Sequence, residues 1–396
     1  MSTAVDPSLH AVPLGEDYPE IRESIRRICQ DFPGEYWRDL DARSAYPEAF
    51  VKALTDAGYL SVLIPEAYGG SGLPLRAASV ILEEIHAAGC SAGACHAQMY
   101  TMGTLLRHGS DEQKQRFLPG IASGELRLQA FGITEPTTGS DTTQLKTRAE
   151  RVGDHYVVNG QKVWTSRAFY SDLMMLLVRT TPADQVQRKT EGLSVLLVDM
   201  REARGNGLEI RPIKAMVNHN TTEIFIDNLK VPVANRIGEE GKGFRYILDG
   251  MNAERIIAAS EAIGDARWFV RKATEYANER VVFGRPIGKN QGVQFPIARA
   301  HIETVAAEMM VRKATTMFAA GLPCGEDANM AKLLATEAAW HAAEACLQTH
   351  GGFGFAAEYD VERKWREVRV MQVAPVSTNL ILANIAEHTL GLPRSF

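Results

Sequence analysis

Phe131-Gly132-Ile133-Thr134-Glu135-Pro136-Thr137-Thr138-Gly139-Ser140-Asp141 is the stretch on which the reading of this chain turns. Pro136 stiffens the backbone, and Gly139 removes a side chain so that a flat ligand can lie against the main chain. Thr134 and Ser140 set hydroxyls beside backbone N–H groups, a combination suited to the polar edge of a ring. Every residue here is also a turn former, so the run taken alone reads as a plain loop. Its spacing to Trp164-Thr165-Ser166 favours a ligand site, because Trp164 adds a flat apolar face.

The run lies where the sequence period changes. From about Tyr18 to Arg127 apolar positions recur at helical spacing, as in Phe50, Leu54 and Ala57. Gly69-Gly70-Ser71-Gly72-Leu73-Pro74 interrupts that pattern, and a second helical run continues through Val80, Ile81 and Ile85. Beyond Leu128 the residues become β-rich. Tyr156 to Trp164 reads as a hairpin turning at Asn159-Gly160. Met174 to Val178, Leu193 to Val198 and Glu223 to Ile226 read as further strands.

From Gly241 the helical period returns. Phe244, Ile247, Leu248 and Met251 fall at i, i+3, i+4 and i+7, which predicts one stripe facing a core. Later helices are predicted over 292–319, 326–348 and 377–390, joined as an up-down bundle. The expected fold is therefore α+β and multidomain. An N-terminal helical domain (1–127) precedes a central β-barrel (128–238) and a C-terminal four-helix bundle (239–396).

Bulk properties narrow the function classes. A chain of 396 residues has room for two or three domains with large cores. A formal net charge of −5 argues against nucleic acid or an anionic membrane surface as the main partner. Cys29, Cys90, Cys95, Cys324 and Cys346 form no CxxC pair, and an odd, scattered set predicts reduced thiols in a cytoplasmic protein. The opening residues lack the blocks of a signal peptide, and no apolar run approaches the ~20 residues of a membrane span. The ten histidines show no metal-ligand spacing and read as surface or satisfied core residues, so no metal is expected.

The two quoted segments resemble the T-E-P-x-x-G-S-D and W-T-S flavin-contacting segments of the acyl-CoA dehydrogenase family. The resemblance covers nearly the whole chain. Ile64-Pro65-Glu66-Ala67-Tyr68-Gly69-Gly70 resembles the family's early turn, and Val231-Pro232 with Gly238 to Phe244 resembles its barrel–bundle boundary. Glu279-Arg280, Phe283-Gly284 and Gln291 resemble the segment that reaches the FAD of a neighbouring subunit. An arginine suits a pyrophosphate because its forked donors match paired oxygens. Read without the resemblance, Arg280 is a helix C-terminal cation with Gly284 closing the helix. Gln348-Thr349-His350-Gly351-Gly352-Phe353-Gly354 resembles the family's turn near the adenine half. Neither glycine cluster fits a Rossmann or P-loop pattern.

The resemblance implies FAD held by Phe131, Ile133, Thr134, Gly139, Ser140, Trp164, Thr165, Ser166, Arg280, Phe283, Gln291, Gln348, Gly351, Gly352, Ser377 and Asn379. It also implies an acyl-CoA substrate, a homotetramer and an electron-transfer flavoprotein as acceptor. Dehydrogenating a thioester needs a carboxylate for the α-proton and donors for the oxygen on which charge builds. In much of the family that base is a glutamate just before the last helix, but Pro375 stands there in this chain. Proline also lacks the N–H that would serve the thioester oxygen, so either Val376 N–H or Ser377 replaces it, or the substrate sits differently, or the chemistry is not ordinary dehydrogenation.

A minority of the family, the isovaleryl-CoA and long-chain enzymes among them, carries the glutamate before an arginine on the first bundle helix. Here that segment is Met251-Asn252-Ala253-Glu254-Arg255. Glu254 is accordingly the expected base, with Ser140, Met251, Asn252 and Arg255 against the substrate; Glu135 is the weaker candidate. The rival readings are a flavin oxidase or monooxygenase on the same fold, and a catalytically silent acyl-CoA-binding flavoprotein.

Overall fold

The computed structural model describes residues 15–394. Six helices come first: α1 (Pro19–Gln30), α2 (Gly34–Arg43), α3 (Glu48–Asp56), α4 (Leu75–Ala87), α5 (Gly93–His108) and α6 (Asp111–Ser123). α6 begins with a complete capping box, in which Ser110 accepts from the Gln113 N–H and the Gln113 side chain accepts from the Ser110 N–H. α4 is buried along almost its full length, so it lies inside the molecule rather than on it.

The β domain holds β1 (Leu128–Gly132), β2 (Arg148–Val152), β3 (His155–Ser166), β4 (Leu173–Arg179), β5 (Leu193–Asp199), the short α7 (Met200–Ala203), β6 (Leu208–Pro212), β7 (Thr221–Pro232) and β8 (Arg236–Ile237). The hydrogen-bonded path runs β6-β7-β3-β2-β4-β5-β8, and β1 joins β4 in parallel. Because β4 carries neighbours on both sides, the sheet curls around a single core. Tyr156, Met174, Leu176, Val198, Ile224 and Leu229, from four different strands, meet inside it.

The hairpin expected at Asn159-Gly160 is absent. β3 runs straight through those residues, paired along one side with β7. The turn lies earlier, at Gly153-Asp154 between β2 and β3, where Gly153 has φ +64°. Gly160 is glycine for a different reason: a Cβ there would strike Thr147 on the neighbouring chain segment.

The C-terminal domain is built on α8 (Gly243–Glu279), α9 (Gln291–Ala319) and α10 (Gly325–His350), completed by α11 (Val361–Val370) and α12 (Thr378–Asn384). α8 packs against α4 and α5 of the first domain as well as α9 and α10, so it is the central beam of the molecule. Gly264 allows its crossing with α4, since a Cβ there would strike the Glu83 carbonyl oxygen. Of the predicted stripe, Ile247 is buried and Phe244 and Met251 are half-buried, but Leu248 is 46% exposed. α11 escaped the sequence reading because its VERKWREVRV run is mostly charged. Its Arg363 and Lys364 are nevertheless buried, paired with Glu367 and Asp265.

Two short strands, β9 (Val281–Val282) and β10 (Arg285–Pro286), form a hairpin after α8. Phe283 and Gly284 are its two turn residues, both at positive φ. Gly284 therefore closes a hairpin and not the helix, and Phe283 projects from its tip fully exposed.

Candidate active site

The glycine- and threonine-rich run leaves β1 and crosses to the strand that carries Trp164. Val163 N–H donates to the Thr134 carbonyl at 2.9 Å, and Lys162 Nζ donates to the Ile133 carbonyl at 3.1 Å. Lys162 also pairs with Glu135 at 2.9 Å, and the backbone N–H groups of Lys146 and Thr147 donate to the same carboxylate. Burial works to raise the Glu135 carboxyl, but Lys162 and these donors hold it below the ordinary range. Burial lowers Lys162 to about 8. Glu135 is thus fully engaged in fixing the loop, which removes it as a proton acceptor.

What the loop presents outward is different. Gly139 and Ser140 are exposed, with open space where a glycine Cβ would stand. A register shift between Lys162 and Thr165 turns Trp164 out of β3 at φ +62° and leaves it 59% exposed. Beside it the Thr165 hydroxyl is buried without a partner. An exposed indole in a strained backbone, next to an unused hydroxyl and a bare glycine, fits the flat, polar-edged ring of a flavin.

Tyr100 of α5 links this surface to the helices, with its ring edge-on to Phe131 at 5.3 Å and to His96 at 5.0 Å. Facing α5 is the stretch of α8 that holds Glu254, 7% exposed. Among the described residues its carboxylate has neither a hydrogen-bond nor an ion-pair partner. Burial pushes it up to about 7, against the opposing pull of His96, Arg255 and Lys332. Arg255 turns away to anchor the helix, donating to Asn329 at 2.6 Å, to the Asn252 amide oxygen and to the Met251 carbonyl.

On the far side, fully buried Lys332 donates to the Val376 carbonyl at 2.6 Å, tying α10 to the loop of Pro375. Burial lowers this lysine to about 8. Ser377 Oγ accepts from Leu380 N–H as the N-cap of α12, whereas Val376 N–H has no partner among the described residues.

Three family profiles match this chain: Acyl-CoA dehydrogenase, N-terminal domain, over residues 15–125; middle domain, over 130–229; and C-terminal domain, over 241–390. The chain belongs to the acyl-CoA dehydrogenase family. An acyl-CoA dehydrogenase of Mycobacterium tuberculosis is 32% identical over 385 residues, covering 96% of this chain and 98% of that protein. A glutaryl-CoA dehydrogenase of Desulfococcus multivorans is 33% identical over 384 residues, covering 95% and 96%. Among solved structures, a glutaryl-coenzyme A dehydrogenase in complex with glutaryl-CoA superposes with a TM-score of 0.88 at 29% identity, over 100% of this chain and 98% of that one.

Within this acyl-CoA dehydrogenase fold the sequence-predicted residues fall into two groups. Phe131, Ile133, Thr134, Gly139, Ser140 and Trp164 to Ser166 lie at the end of β1, in the loop after it and at the end of β3, and Phe131 meets α5 through Tyr100. Arg280, Phe283, Gln291, Gln348, Gly351 and Gly352 gather at the far end of α8, all exposed, with Arg280 over the Phe353 ring at 5.8 Å. Glu254 and Arg280 are separated by 26 residues of helix, or roughly 39 Å. Ser377 and Asn379 lie at the start of α12. Sequence reasoning missed His96, Tyr100, Lys332 and Glu261. No local motif marks them, because each comes from a different helix or position and acquires meaning only through packing.

Proposed function

We propose that Glu254 takes the α-proton of an acyl-CoA thioester on this chain, giving the trans-2-enoyl-CoA. The observation that carries this reading is the carboxylate itself: buried, unpaired and poised near neutrality beside the flavin-type surface. As the Cα–H bond breaks, its proton moves to a Glu254 oxygen and the electron pair forms the Cα=Cβ double bond. FAD, when bound, accepts the hydride that leaves Cβ. Thr134, Ser140, Trp164 and Ser166 would hold its ring, while Arg255 and Asn252 keep α8 in register.

Pro375 offers no N–H to the thioester oxygen. The unpartnered Val376 N–H takes that role in our reading, with its peptide fixed from the other side by Lys332. Electrons then leave to an electron-transfer flavoprotein. The five free cysteines are all buried thiols, in keeping with a cytoplasmic setting. Among the described residues no helix is long and apolar enough to cross a membrane.

The distance between the two residue groups supports a neighbour-sharing assembly. An FAD resting on Trp164 is far from Arg280 of its own chain, so Arg280, Phe283 and Gln291 serve an adjoining subunit. Phe295, Ile302, Val305 and Met309 form one exposed apolar face of α9 that such an assembly would cover. We assign a homotetramer; a flavin-saturated monomer in light scattering would refute it.

The activity test mixes the purified yellow protein with straight, branched and cyclic acyl-CoAs without oxygen. Bleaching of the flavin with release of enoyl-CoA is expected. The missing N–H at Pro375 favours one second reading, an oxidase on the same fold. Rapid reaction of the reduced protein with oxygen would select it.

A further inference from the structure

α8 carries three acids on its buried side, Glu254, Glu261 and Asp265, at spacings of seven and four residues that keep them on one stripe. Cationic groups from three other helices meet that stripe. His96 of α5 lies with Nδ1 3.2 Å from Glu261, His86 of α4 with Nδ1 2.9 Å from Asp265, and Lys364 of α11 pairs with Asp265. An acid ladder of this kind is costly inside a protein unless each rung is matched. The lower rungs are matched by direct contact. Glu254, at the top, is the one without a partner.

We propose that His96 is a positioning residue: a buried cation, clamped by Glu261, that keeps the Glu254 carboxylate ready to accept the substrate proton. This rests on Glu254 being the base. Seven residues of α-helix separate Glu254 from Glu261, a rise of roughly 10 Å. His96, on the facing helix, is within electrostatic reach of both. Its side chain is 15% exposed, with Nδ1 turned to the Glu261 carboxylate at 3.2 Å. The ring is also set by its edge contact with Tyr100, which rests on Phe131. The Nδ1 proton of His96 is therefore held against the Glu261 carboxylate.

The titratable groups on the elements packed near His96 are these. α5 contributes Cys95 and Tyr100, α8 Glu254, Arg255, Glu261 and Asp265, and α4 His86. α10 contributes Lys332, and α11 Lys364 and Glu367. The end of β3 supplies Arg167, and the β6–β7 connection His219. Burial, helped by Arg167, lowers His219 to about 4, so it is neutral and does not replace His96 as a cation. Burial works to lower His96 as well, but Glu261 raises it above its ordinary value. Conversely, burial works to raise Glu261, and His96 holds it down. The two partners agree in direction, as a true ion pair requires.

The test compares wild type, His96→Gln, Glu261→Gln and Glu254→Gln by stopped-flow flavin reduction between pH 5.5 and 9.5. It is paired with an infrared titration of the protonated-carboxyl band that Glu254→Gln abolishes. In both His96→Gln and Glu261→Gln the acid limb of the reduction profile should move up by about 1 pH unit, the low end of what a nearby opposite charge produces. The infrared titration should move with it. At pH 7 reduction then slows up to about 10-fold, and it recovers toward wild type at pH 9.

A loss that does not recover at high pH indicates a packing role and overturns the proposal. So does an unshifted limb in either variant that folds and holds flavin. If Glu254→Gln reduces as fast as wild type, the base assignment fails. The infrared titration would still report whether His96 governs the Glu254 proton.

Discussion

Glu135 on the barrel is 5% exposed and Glu254 on the bundle 7%. Burial opposes ionisation of each. Glu135 answers with a lysine and two backbone N–H donors and stays charged; Glu254 has no such contact and holds its proton up to about 7. What separates a structural carboxylate from a reactive one is thus the supply of donors at contact distance, not depth. One glutamate spends its lone pairs on a loop. The other has no such partner among the described residues, and we propose that it keeps them for a substrate.

The comparison breaks most visibly in kinetics. Glu254→Gln retains shape but not the proton acceptor, and flavin reduction in stopped flow should fall by about 10²–10⁴-fold with FAD retained. Full-speed reduction would place Glu254 with Glu135 among the structural carboxylates.

The next effect is on stability and belongs to the other glutamate. Glu135→Gln leaves Lys162 buried without its counter-ion, at an expected loss of about 3 kcal/mol at pH 7 in urea unfolding. Adding Lys162→Met should recover part of it. The fold binds the Glu135 proton less tightly than the unfolded chain does. Its stabilisation is therefore present above the ordinary value of 4.5 and is lost as pH falls through the lowered folded value.

Glu254 carries the opposite sign, and the smallest of these effects. Its folded-state proton affinity is raised, so its contribution is complete below 4.5 and lost as pH rises through about 7. Glu254→Gln should match wild-type stability at pH 4 and exceed it by roughly 2–3 kcal/mol at pH 9. Equal stability at both pH values would mean that burial does not strain the carboxylate.

The sequence made the domain order and the cofactor-type loop legible because both are local signals: a change of period, and a short motif with turn chemistry. Glu254 was named through the resemblance to the family's minority pattern of a glutamate before an arginine on the first bundle helix. The sequence misplaced the β2–β3 turn because Asn159-Gly160 and Gly153-Asp154 are equally good turn pairs on paper, and only the close approach of Thr147 explains Gly160. The histidines were read as bland for a related reason. His96 gains its meaning from Glu261, which lies 165 positions away in the chain, and one sequence carries no sign of that meeting. α11 was hidden by its charge, since buried lysine and arginine look like surface until their acids are known.

The proposed placing of the base on α8 has an evolutionary consequence. A carboxylate on a helix interior is located by backbone hydrogen bonds on either side of it, and it keeps its address when neighbouring loops change. In that reading the segment around Pro375 is released from taking the proton, and keeps its Lys332 tether to the Val376 carbonyl and the Val376 N–H for the thioester oxygen. Descendants of this chain can lengthen, shorten or re-letter that loop to admit new acyl shapes while the reaction itself stays fixed. The proline then marks a division of labour, in which a rigid beam conserves the chemistry and a nearby hinge is free to explore substrates.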